Sequence, residues 1–128
     1  MKGFLTALAI FLGVQAAAWA ADPVPYTDQG FAAAQSAGKP ILVHVTAPWC
    51  PTCAQQRPIL SKLEHSPQFA DLVVFNVDFD SQKDLLRRLN VRVQSTLIVY
   101  TGGTEKGRAS GITDPEAIRA LLLKAKGT

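Results

Sequence analysis

Residues 41–46, Ile-Leu-Val-His-Val-Thr, form a mostly β-branched apolar run in which His44 is the one ionisable side chain. A strand with one wet face alternates apolar and polar residues, whereas a strand covered on both faces does not. The run therefore predicts a central strand with structure packed over each of its faces. Ala47-Pro48-Trp49 breaks it, and Cys50 to Glu64 follows with helical spacing, Ile59, Leu60 and Leu63 recurring on one side. Strand, short break and helix make up the unit of an α/β sheet. The chain has 128 residues, 48% of them apolar and 18% charged, which suits one domain and excludes a solvated, disordered polymer. A domain of this length buries about two-thirds of its unfolded surface. It needs no disulfide scaffold, for which two cysteines are too few in any case.

The other segments extend the pattern. Residues 22–27 (DPVPYT) are proline-rich and read as extended chain. Residues 31–37 are helix-prone, with Thr27 or Asp28 as cap and Gly38-Lys39-Pro40 as stop. Pro58 falls inside the helix after the cysteines and predicts a kink. Residues 72–77 are a second apolar run, ending at Asp78. Ser81 and Asp84 have capping-box spacing and open a helix through Leu89. Residues 95–100 (STLIVY) form a third strand, Gly102-Gly103 a turn, and residues 106–110 a more polar strand, close enough for an antiparallel hairpin. Thr113-Asp114-Pro115-Glu116 begins a helix, by a capping box and an early proline, that continues through Leu121, Leu122 and Ala125. The order is α-β-α-β-α-β-β-α, an α/β fold with a mixed sheet flanked by helices. No repeat interrupts it.

The N-terminus is of another kind. Lys2 precedes an apolar run, Phe4 to Val14, and small residues lead to Ala18-Trp19-Ala20. Positive start, short apolar centre and an A-x-A exit describe a secretory signal peptide cleaved after Ala20. The competing reading is an uncleaved anchor, but Gln15 interrupts the run and no basic stop-transfer cluster follows. The expected mature chain is one globular domain over 21–128, with an N-terminal extension and first helix in 21–37, exported to a compartment that permits disulfides; a bacterial periplasm fits best. Net charge is +3, from 13 basic and 10 acidic residues that are interspersed. Arg87-Arg88, with Asp84 within a turn, reads as a solvated helix face, not a nucleic-acid footprint.

Both cysteines lie in Cys50-Pro51-Thr52-Cys53. A disulfide there closes a very small loop and adds little stability by loop entropy, so reversible reactivity is the better reading. At the start of a helix, free backbone N–H groups and the helix dipole favour a thiolate at Cys50. Thiol pKa values fall from about 8.5 to as low as roughly 3.5 in such places. Cys50 is thus the candidate nucleophile, and Cys53, one turn in and more buried, the resolving thiol. Pro51 occupies an early helical position at little cost, and Thr52 offers a hydroxyl. Zinc is the rival, but a finger needs a second ligand pair and only His65 follows, so no metal or other cofactor is expected.

Ile41 to Cys53, Pro58, FNVD (75–78), STLIVY (95–100), Gly102-Gly103 and Gly111 together make the chain, over about residues 38–125, resemble the thioredoxin superfamily, in particular the exported thioredoxin-like oxidoreductases of bacteria. The resemblance implies a domain proper in 38–128, a helix-flanked sheet and a reactive cysteine at a helix N-terminus. Three departures stand out. Ser95 occupies the position of the family's cis-proline; a non-proline cis bond costs about 2.5–4 kcal/mol, so either the loop is reshaped or it is cis under strain. His44 replaces the buried carboxylate beneath the second cysteine; it is either a proton shuttle for Cys53 or a hydrogen-bonded strand residue without a role. Val74 replaces the lysine that accompanies that carboxylate. Trp49 is expected to shield the disulfide and meet partners, Arg57 to add positive potential or simply be solvated, and His65 to be exposed at a helix end.

The expected function is exchange of disulfides with protein thiols and disulfides by a monomer, without nucleic acid. Reductant and oxidant both fit; a reductant calls for a membrane redox partner. The alternative from another class is a periplasmic copper- or zinc-binding, or chaperone-like, module on the same fold.

Overall fold

The computed structural model describes residues 22–127, so the signal-peptide reading of residues 1–20 lies outside the described residues. The elements are β1 (Val24–Pro25), α1 (Asp28–Ser36), β2 (Pro40–Thr46), α2 (Pro51–Glu64), a 3-10 turn (Pro67–Phe69), β3 (Val73–Asp78), α3 (Lys83–Arg88), β4 (Thr96–Thr101), β5 (Thr104–Ser110) and α4 (Pro115–Ala125). They form one five-stranded sheet in the order β1-β3-β2-β4-β5. β1, β3 and β2 run parallel, β4 is antiparallel to β2, and β5 closes an antiparallel hairpin with β4. This is the expected mixed sheet, with the 41–46 run at its centre.

Strand alternation sorts the core into two halves. Ile41, Val43 and Val45 join Phe75, Val77, Ile98 and Tyr100 on one face, with Leu85 and Leu86 of α3 and Phe31 of α1 packed against them. Leu42, Val74, Leu97 and Val99 occupy the other face beneath Leu60 of α2 and Ile118, Leu121 and Leu122 of α4. Val74 is therefore plain core, and His44, two residues from Leu42, faces the α2/α4 side by the same alternation.

Several local expectations are corrected. Residues 24–25, read only as extended, add a strand: Val24 pairs with Phe75, and the Tyr26 N–H donates to the Asn76 carbonyl at 2.8 Å. Pro25 is tolerated because this is the sheet's edge. The Ser81–Asp84 capping box does not form, and α3 starts later, at Lys83. Asp78 takes the hydroxyl instead, accepting from Ser81 Oγ at 2.8 Å and from the Asp80 N–H at 3.0 Å. An aspartate closing its own turn competes with the helix cap. At α4 the cap is Asp114 rather than Thr113, with Oδ2 accepting from the Ala117 N–H at 2.9 Å and Pro115 in the first helical position. Thr27 caps α1 as expected, accepting from the Gly30 N–H at 3.0 Å. α2 stays helical through Pro58.

Candidate active site

β2 delivers the chain to Ala47-Pro48-Trp49, and α2 begins immediately after Cys50. Cys50 is the N-cap, in extended conformation, and Pro51 fills the first helical position, where its missing N–H is one the helix would leave unpaired anyway. The Cys50 sulfur accepts the Cys53 backbone N–H at 3.1 Å. The sulfur thus sits where a serine or aspartate cap would sit, at the positive end of a 14-residue helix. Cys50 and Cys53 are joined by a disulfide with their Cα atoms 5.3 Å apart. The expected difference in burial is slight: Cys50 is 1% exposed and Cys53 0%. Ala47 and the part-buried Phe79 complete the apolar cluster around them. Thr52 lies half-buried in the first turn of α2.

Trp49 is 56% exposed, while the cysteines that follow it are buried. Its ring meets Phe79 edge-on at 6.4 Å, and its Nε1–H donates to Asp80 Oδ2 at 2.9 Å. More than half of Trp49 remains open to solvent, next in the chain to Cys50. Arg57 is tied down: its Nη2 donates to Thr46 Oγ1 at 3.2 Å and to the Ala47 carbonyl at 3.3 Å, pinning α2 to the end of β2. An open cleft of about 690 Å³ runs alongside, lined among others by Pro25, Ala47, Pro48, Arg57 and Gln82. His65 is remote from the sulfurs, at the end of α2, where Nδ1 meets the Ser61 carbonyl at 2.6 Å. That backbone bond raises its pKa.

The two departures at Ser95 and His44 resolve together. No described peptide bond is cis, and Ser95 instead has φ +58. The loop is reshaped: a trans serine in the left-handed region, at about 1–2 kcal/mol for a residue with a Cβ. Ser95 is buried, and its carbonyl accepts from the Gly111 N–H at 3.1 Å. His44 is buried as well, with Nε2 3.0 Å from Gln56 Oε1. Burial holds the ring neutral and its pKa down to about 4, the Gln56 hydrogen bond opposing this and the Arg57 charge adding to it.

Two residues escaped the sequence reading. Gln56 is fully buried and contacts both departures, and Glu64 is buried at the end of α2 with its carboxyl pKa raised by desolvation. Their signal was available: Cys53, Gln56, Leu60 and Glu64 are the buried stripe of α2, and polar residues at core positions of an amphipathic helix call for partners. Among the described residues, no group of three or more His, Cys, Asp or Glu side chains is placed to hold a metal ion.

Comparison with known proteins agrees with this geometry. The thioredoxin family profile matches residues 22–124. Thioredoxin-2 of Saccharomyces cerevisiae is 32% identical over 87 residues, which is 68% of this chain and 81% of the yeast protein. Thioredoxin 1 of Chlorobaculum tepidum is 31% identical over 88 residues, covering 69% of this chain and 86% of its own. The crystal structure of Trxlp from Edwardsiella tarda superposes with a TM-score of 0.77 at 44% identity, covering 79% of this chain and 98% of that one. A dithiol pair closed into a disulfide at a helix N-terminus, on this sheet and within this sequence family, has one chemistry: the chain belongs to the thioredoxin family and is a thiol–disulfide oxidoreductase.

Proposed function

We propose that this oxidoreductase is exported, and that it reduces or exchanges disulfides of protein substrates with Cys50 as attacking and Cys53 as resolving sulfur. The observation that carries the assignment is the 3.1 Å hydrogen bond from the Cys53 N–H to the Cys50 sulfur at the start of α2. Of the two sulfurs, it is Cys50 that the helix end stabilises as an anion. In the reduced protein the Cys50 thiolate attacks one sulfur of a substrate disulfide. The substrate S–S bond breaks, one substrate thiolate leaves, and a mixed disulfide forms. Cys53 then loses its proton and attacks the Cys50 sulfur, releasing the second substrate thiolate. The substrate gains two electrons and the Cys50–Cys53 pair loses two, ending in the disulfide seen here. An external dithiol reductant, in keeping with a membrane redox partner, restores the pair. The exposed Trp49 and the cleft lined by Ala47 and Pro48, in the segment that leads into Cys50, offer a client chain apolar surface.

Insulin reduction under an excess of dithiol tests the sulfur roles. Cys50→Ser abolishes turnover, and Cys53→Ser accumulates covalent mixed disulfides separable on a non-reducing gel; turnover by Cys50→Ser overturns the assignment. Export rests on the residue 1–20 pattern. The N-terminus of the full-length protein produced in a Gram-negative host and recovered from its periplasm is expected at Ala21. Uncleaved protein retained in the cytoplasm overturns that part.

A further inference from the structure

The side chain of Gln56 reaches three separate segments from one buried point. Its Oε1 faces His44 Nε2 on β2 at 3.0 Å. Its Nε2 donates to the Ser95 carbonyl at 3.1 Å and to the Ile112 carbonyl at 2.9 Å. Gln56 stands three residues after Cys53 on the same helix, so the contacts are one turn below the sulfurs. Thr96 pairs with Val45, which places Ser95 level with the end of β2, where the chain leaves for Cys50.

Two consequences follow from hydrogen-bond chemistry alone. The amide's two N–H groups are both spent on carbonyl oxygens, so its oxygen must be the atom facing His44. That oxygen is only an acceptor, so the neutral His44 ring must carry its proton on Nε2 and keep a bare lone pair on Nδ1. At the same time Ser95 is held in a left-handed conformation that serine does not favour, with its carbonyl clamped from two sides by Gln56 and Gly111.

Resting on the dithiol-exchange reading, we infer that Gln56 is a positioning residue for the exchange site: it locks the left-handed turn at Ser95 against the active-site helix and fixes His44 in a single tautomer. Neither task involves contact with a sulfur. Gln56 acts by keeping the Ser95 loop, the end of β2 and the first turns of α2 in one arrangement.

Two measurements test this. Long-range ¹H–¹⁵N spectra of the oxidised wild-type protein are expected to show His44 as the Nε2–H tautomer, and an Nδ1–H ring overturns the clamp without any variant. Gln56→Met keeps the length of the side chain and removes all three hydrogen bonds. Its kcat/KM for insulin reduction is expected to fall about ten- to a hundredfold, the range in which small misplacements at a reacting centre act. Ser95→Gly in the Gln56→Met background is expected to recover at least threefold, because glycine takes a positive φ freely. Wild-type kcat/KM in folded Gln56→Met, or no recovery in the double variant, overturns the proposal. Should Gln56→Met not fold, Gln56→Asn, one methylene too short for these contacts, replaces it with the same expectations. A wild-type protein that fails to reduce insulin refutes the exchange reading instead, and the His44 spectrum is read independently of it.

Discussion

The His44 ring ties the stability of this protein to acid, and the size of the effect follows from its burial. His44 is 4% exposed, and its pKa is held down to about 4 from an ordinary 6.5. A basic group with a depressed folded pKa costs nothing while both states are neutral, above about pH 7.5. As pH falls through 6.5 the unfolded chain takes up a proton that the folded chain refuses, so stability is lost. The loss stops growing once the folded ring also protonates, below about pH 4. One pKa unit is worth about 1.36 kcal/mol, so the full loss comes to a little over 3 kcal/mol, and about 2 kcal/mol of it has appeared by pH 5. Urea unfolding of the oxidised protein at pH 7.5, 6.0 and 5.0 measures it, with His44→Asn as reference. The variant shares every other titrating group, including His65 and Glu64, so the difference between the two pH profiles isolates His44. Its absolute stability is immaterial. Wild type is expected to lose about 2 kcal/mol more than His44→Asn between pH 7.5 and 5.0. Parallel profiles would refute the claim that burial keeps this ring neutral.

Glu64→Gln is expected to stabilise the protein near pH 8 and to lose that advantage toward pH 4, because desolvation raises the Glu64 carboxyl pKa and the folded state therefore favours the protonated form; urea midpoints across that range read it. Asp114→Ala removes the cap of α4 and is expected to cost about 1 kcal/mol in urea unfolding, with insulin reduction unchanged. Ile118→Ala empties a fully buried position between α4 and the sheet and is expected to cost about 2–5 kcal/mol by the same measure.

The sheet was legible because its strongest signals are local. A β-branched run without alternation, a glycine pair before a polar strand and a proline one residue into a helix each carry their own physics, and β2, the β4–β5 hairpin and α4 stand close to where those signals put them. β1 was not legible: two residues with a proline have no strand signature, and they pair only because β3 presents an edge. The failed cap at Ser81 has a similar origin, since capping-box spacing cannot reveal that Asp78 will claim the hydroxyl first.

The placement of a C-x-x-C between a buried strand and a helix was enough, on sequence alone, to locate the two sulfurs and name their chemistry, because a helix end acts on whatever side chain caps it. The sequence also marked His44 and Ser95 as departures. It left open whether Ser95 meant a reshaped loop or a strained cis bond, and whether His44 was a working base or a bystander. Only the tertiary structure decided the first and found what joins the two: a glutamine twelve residues from His44 and thirty-nine from Ser95. Hydrogen bonds between distant segments depend on which helix lies over which strand, and that is settled by packing, not by any neighbourhood of the chain.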